Sequence, residues 1–147
     1  MTEPTTGLRA FKPVFVALGL AYVLMAGSAL FQGTAFLEDF GVSHALASDP
    51  VLTDFFTFFY QLMAFIGVLT VVFGLVTRER RAQVFVASVF CAGSVLLALR
   101  DLSTSDTRFG NALHEGEATV FFVAVSVVYA LAFGGLAILG FRRGGVR

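Results

Sequence analysis

Four stretches of this chain are almost continuously apolar and contain no charged residue: Pro13 to Phe31, Phe55 to Val76, Ala82 to Leu99 and Ala118 to Phe141. A helix rises about 1.5 Å per residue, so roughly 20 such residues cross the hydrocarbon layer of a bilayer. It also satisfies its own backbone N–H and C=O groups, a requirement wherever no water is present to do so. The runs do not alternate apolar with polar, which excludes a transmembrane β-barrel. The pattern therefore predicts an all-α integral membrane four-helix bundle, antiparallel and up-down-up-down, with spans at about 13–31, 55–76, 82–99 and 118–141 in a single domain covering residues 1–147.

The glycines inside these runs, at positions 19, 27, 67, 74, 93, 134, 135 and 140, would weaken soluble helices but allow close approach between membrane helices. Small residues four apart recur as well: Ala17 with Ala21, Ser88 with Ala92, and Ala130 with Gly134. In a sequence this rich in alanine and glycine they indicate generic helix packing, not a particular dimerisation code.

Charge sets the orientation. Arg9 and Lys12 precede the first span, Arg78, Arg80 and Arg81 sit between the second and third, and Arg142, Arg143 and Arg147 follow the fourth. The positive-inside rule makes that side cytoplasmic, so both termini are expected in the cytoplasm and the protein in the inner (cytoplasmic) membrane. The acids lie opposite. Glu38, Asp39, Asp49, Asp54, Asp101, Asp106, Glu115 and Glu117 occupy the first and third connections with only Arg100 and Arg108, and His44 and His114 are there too. Arg9 and Lys12 before an apolar core ending in Ala26-Gly27-Ser28-Ala29 also have the layout of a secretory signal. The segment is read as a retained span, because its removal would leave the basic tail on a different side from its partners.

Composition agrees with lipid as the main solvent: 57% of residues are hydrophobic and 14% charged, with a mean hydropathy of +0.85. Four spans leave no room for a separate soluble domain. The lone Cys91 lies in an apolar run, can join no internal disulfide and is expected to pack as a small hydrophobe.

Polar residues inside the spans are the next informative feature, since they are costly in lipid and tend to face the bundle interior. Ser28, Thr57, Tyr60, Gln61, Ser94, Thr119 and Ser126 fall in the outer half, Tyr22, Cys91 and Tyr129 near the midplane, and only Thr70 and Ser88 clearly in the inner half. One reading is an outward-opening cavity lined by Tyr22, Tyr60, Gln61 and Tyr129 that binds a hydrophobic ligand. The other is that the hydroxyls bond back to their own helices, the tyrosines pack as aromatics and Gln61 makes one interhelical bond. At the outer surface, Arg100 and Asp101 end the third span level with Asp54 and Glu117; a guanidinium there is expected to bridge two carboxylates and fix the heights of three helices, the alternative being a role in binding an anionic head group or substrate.

No catalytic motif is present, and no phosphate-binding glycine loop or paired-cysteine metal signature. His114, Glu115 and Glu117 with His44 match no ligand spacing, so no metal is expected. Neither histidine lies in a span, as a bis-histidine haem would need. The cofactor stays unknown.

The second span with its Asp54 lead-in and Phe59-Tyr60, the Arg78-Glu79-Arg80-Arg81 turn, the third span ending in Leu99-Arg100, and Glu117 entering the fourth resemble the small four-helix DoxX-like membrane proteins, particularly the uncharacterised domain family called DUF4345. The resemblance covers nearly the whole chain; where those proteins carry Tyr-Gly-Gly, this one reads Tyr60-Gln61-Leu62. It implies a fold and a membrane location. Members of the wider group that it resembles have been linked to quinone-coupled redox complexes as small subunits, and sterol-binding four-helix proteins share a similar bundle, but no catalytic residue carries over.

Three functions follow as expectations. The first is a non-catalytic subunit or accessory protein of a larger membrane complex, in keeping with short loops and 18 phenylalanines. The second is a binder or carrier of a small hydrophobic molecule, such as a quinone, lipid or carotenoid. The third is a membrane enzyme acting on such a molecule through Arg100, Glu117 or Tyr60. Expected partners are the lipid bilayer, other membrane subunits or further copies of the chain, and a hydrophobic small molecule, but no nucleic acid.

Overall fold

The computed structural model describes residues 7–39, 43–104 and 117–144, with the side chains of residues 104, 117–119, 143 and 144 outside that description. Among the described residues six helices appear in chain order: α1 (Phe11–Gln32), α2 (Thr34–Asp39), α3 (His44–Ala47), α4 (Pro50–Val76), α5 (Arg80–Thr104) and α6 (Glu117–Gly144). Four of them, α1, α4, α5 and α6, are long and apolar enough to cross a membrane. They contain the four apolar runs, and the chain is a multi-pass membrane protein built as a four-helix bundle.

Local chemistry explains where the helices start and stop. Asp49 caps α4, its Oδ1 accepting from the backbone N–H groups of Val51 at 2.9 Å and Leu52 at 3.1 Å, while Pro50 fills the first helical position, where a missing N–H costs nothing. The helix thus begins ahead of the apolar run at Phe55. At the other end of α1, Gly33 takes a φ of 59°, a left-handed conformation that suits glycine, and its N–H bonds to the carbonyl of Ala29. The chain turns there directly into α2.

The bundle is assembled from two intimate helix pairs, α1 with α4 and α5 with α6. Glycine makes the first pair possible. A Cβ placed on Gly19 would stand 2.7 Å from the carbonyl oxygen of Gly67 and 2.8 Å from the backbone nitrogen of Val71, and one on Gly74 would stand 2.8 Å from Cβ of Phe15. The two backbones touch along this seam, as small residues permit between membrane helices. In the second pair, Gly140 receives Val84, and Cys91 lies against Gly134 with its thiol donating to the carbonyl of Ala130 at 3.4 Å. Ala130 and Gly134 therefore serve a helix contact, whereas Ala17 and Ala21 lie on an exposed face of α1.

Between the pairs the packing is aromatic, and it varies along the bundle axis. Toward the end carrying Arg78, Arg80 and Arg81, here the basic end, Phe15 stacks on Phe11 with ring centroids 4.2 Å apart and meets Phe133 at 4.8 Å and Phe90 at 5.4 Å. Phe73 reaches Phe90 across α4 and α5 at 6.1 Å. Buried Gln83 clasps this end: its Oε1 accepts from the backbone N–H of Leu8 at 2.7 Å and its amide donates to the carbonyl of Thr77 at 2.8 Å. That one side chain ties the approach to α1, the α4–α5 connection and α5 together. Although consecutive in the chain, α4 and α5 otherwise scarcely meet.

Candidate functional site

Because α4 and α5 are held together at the basic end and scarcely touch elsewhere, space opens between the helix pairs toward the acidic end, where Asp49, Asp54 and Asp101 lie. A cavity of about 330 Å³ occupies it. All four long helices contribute walls: Tyr22 and Met25 from α1, Phe55, Phe56, Phe59, Tyr60, Leu62, Met63 and Ile66 from α4, Leu97, Arg100 and Asp101 from α5, and Phe122, Val125 and Ser126 from α6. Phe36 and Leu37 of α2 complete the lining. The size lies at the lower end of the roughly 300–1,000 Å³ typical of small-molecule sites, and the mostly apolar wall with a few polar groups is also typical.

The position of α2 follows from packing at the acidic end. Leu37 is buried with Ala47 of α3, against Leu52 and Phe56 of α4, and the Phe36 ring meets Tyr60 edge-on at 5.4 Å. His44 Nδ1 and Glu38 Oε1 lie 2.6 Å apart, linking the start of α3 to α2 at the exposed surface. The short helices are thus seated on α4 through apolar contacts and joined to each other by the polar one.

Of the residues singled out from sequence, Tyr22 and Tyr60 line the cavity. Tyr129 lies deeper: its ring meets Tyr22 edge-on at 4.5 Å and its hydroxyl donates to the carbonyl of Leu18 at 2.8 Å, stitching α6 to α1. Gln61 is exposed and does not line the cavity. On a helix the neighbour of an inward residue is turned about 100° away, so buried Tyr60 and outward Gln61 are two consequences of one helix rotation. Arg100 lies against its own neighbour, Nη1 to Asp101 Oδ1 at 3.4 Å, with Asp101 buried and Arg100 largely exposed. Asp54 is exposed on α4 and has no ion-pair partner among the described residues. The Glu117 side chain, His114 and Glu115 lie outside the described residues.

Several polar side chains of the spans bond to their own helices. Thr57 donates to the carbonyl of Thr53, Thr70 to Ile66, Ser88 to Val84 and Ser94 to Phe90, at 2.7–2.9 Å. Such back-bonding removes their cost in lipid without any role at a site. What the sequence did not reveal was the lining itself. Buried Tyr60, Gly67 and Gly74 recur every seven residues and mark the inner face of α4, a spacing that would have assigned Phe56 and Met63 to the interior and Gln61 to the outside. No protein-family model, curated protein or solved structure matches this chain.

Proposed function

We propose that the protein binds or carries a small, predominantly apolar molecule in the cavity at its acidic end. The supporting observation is the cavity itself, lined by all four spans and α2, of ligand size, and located where the bundle separates instead of packing shut. A wall rich in phenylalanine and methionine suits a lipid-soluble molecule, and methionine adapts readily to irregular shapes. Several lining residues of α4, among them Phe55, Phe59, Leu62 and Ile66, are also exposed on the bundle surface. A molecule dissolved in the bilayer therefore has an apolar route to the site along that helix.

The orientation that accompanies this reading places both termini in the cytoplasm and the acidic end, with its cavity, at the outer face of the cytoplasmic membrane. Membership among the DoxX-like proteins is proposed on the same terms, since a four-span bundle is what it implies. A non-catalytic subunit of a larger membrane complex is the alternative, but its support, short connections and lipid-facing phenylalanines, is common to any small bundle.

Replacing Val125 by Phe narrows the cavity without adding polarity. The amount of apolar small molecule recovered from the purified protein by solvent extraction and mass spectrometry is expected to fall while the protein stays monodisperse. Unchanged recovery from a folded variant would place binding elsewhere.

A further inference from the structure

Buried hydroxyls seldom go without a hydrogen bond, and a phenol in an apolar interior normally finds an acceptor. Buried Thr70, Ser94 and Tyr129 all comply. Two buried hydroxyls do not. Tyr60, 6% exposed, and Ser126, 7% exposed, have no hydrogen-bond partner among the described residues. Ser126 could bond back to its own helix as Ser88 and Ser94 do, yet it does not. Both residues line the same cavity, from α4 and α6 respectively.

We infer that Tyr60 and Ser126 form the polar grip of this cavity, donating their hydroxyl hydrogens to an accepting oxygen, of the carbonyl type, on a neutral apolar ligand. The inference rests on the cavity being a binding site, as proposed above. A carbonyl oxygen offers two lone pairs and can receive two donors from different walls. Arg100 and Asp101 favour neutrality: these opposite charges, the only charged groups among the described lining residues, lie 3.4 Å apart at the cavity wall, so an ionic ligand would bring a charge with no counter-charge left over among those residues. The chemistry is shared by free ketones and quinones and by the ester groups of membrane lipids, and it separates these from pure hydrocarbons.

The test uses the full chain in nanodiscs of ether-linked phospholipid, whose host lipid has no ester carbonyl, with three probes of similar size: methyl octyl ketone, methyl nonanoate and decane. The ketone or the ester is expected to bind about three- to tenfold more tightly than decane, the worth of one or two net hydrogen bonds. Preference for the ketone indicates a free carbonyl compound, and preference for the ester a lipid. Tyr60→Phe and Ser126→Ala should each weaken the oxygenated probe by about two- to threefold, the two losses multiplying to the advantage over decane, and leave decane unchanged. They should also return the carbonyl stretch of bound, isotopically labelled ketone toward its value in alkane solvent.

A second measurement needs no ligand. Removing an unpartnered buried hydroxyl should leave the unfolding midpoint unchanged or raised in Tyr60→Phe and Ser126→Ala, whereas Tyr129→Phe, which loses its bond to Leu18, should lower it. Equal binding of all three probes, equal loss of decane and ketone in the variants, or a drop in midpoint matching that of Tyr129→Phe would overturn the inference while leaving the cavity as a binding site. Failure of every probe to bind would overturn the binding reading and the inference together.

Discussion

Gly19→Ala tests the seam on which the bundle is built. The added methyl would lie 2.7 Å from the Gly67 carbonyl oxygen and 2.8 Å from the Val71 nitrogen, against the 3.4 Å of ordinary contact. Both obstacles are backbone atoms, so no side-chain rotation relieves them and α1 and α4 must part by about 0.7 Å. Overpacking of this kind costs about 2 to 3 kcal/mol. Alanine's better helix propensity returns about 1 kcal/mol, leaving a net loss of about 1 to 2 kcal/mol. The same substitution at Gly27 or Gly93 meets nothing within 4 Å and is expected to be neutral or stabilising by up to about 1 kcal/mol. Reversible unfolding in bicelles, followed by circular dichroism with increasing dodecyl sulfate, measures all three. If Gly19→Ala proves as stable as Gly27→Ala, the two backbones do not touch there and the described α1–α4 packing is wrong.

Three further outcomes follow from the same physical picture. Gln83→Leu strands the Leu8 N–H and the Thr77 carbonyl at the clasped end and should destabilise by about 1 to 3 kcal/mol, read in the same unfolding assay; a change under about 0.5 kcal/mol would mean water serves both groups equally well. Asp49→Ala removes the α4 cap and should cost about 1 kcal/mol, detectable also as faster amide exchange at Val51 and Leu52. For sidedness, in a Cys91→Ala background an impermeant thiol reagent added to whole cells should label Ala45→Cys, at an exposed position of α3, and not Arg81→Cys; the reverse would invert the orientation and place the cavity on the cytoplasmic side.

The spans were readable because a continuous uncharged run of this length has few other stable fates. Helix ends were less so, since hydropathy marks the part of a helix in lipid and capping chemistry marks the helix. Thus α4 starts at Pro50 under the Asp49 cap, and α5 continues through Arg100 and Asp101 to Thr104. The short α2 and α3 escape any periodicity test, being only 6 and 4 residues long, and α2 supplies part of the cavity wall. Of the polar residues singled out near the acidic end, Tyr22 and Tyr60 line the cavity and Gln61 does not. Tyr60 and Gln61 are adjacent in sequence and opposite in environment, and which of them points inward depends on helix rotation, set here by the glycine contacts of Gly67 and Gly74. The approach of Tyr22 to Tyr129 likewise depends on which helices are neighbours, information carried by side-chain shape at the pair interface and not by hydropathy.

Native mass spectrometry of the protein released gently from its own membrane bears most directly on the proposed binding. The expected spectrum is a bundle carrying one defined, neutral, largely apolar small molecule, with much less of it retained by Val125→Phe. A spectrum showing stoichiometric protein partners and no small molecule, with the Val125→Phe variant indistinguishable from the parent, would contradict the account and make the protein a subunit whose cavity is a packing feature.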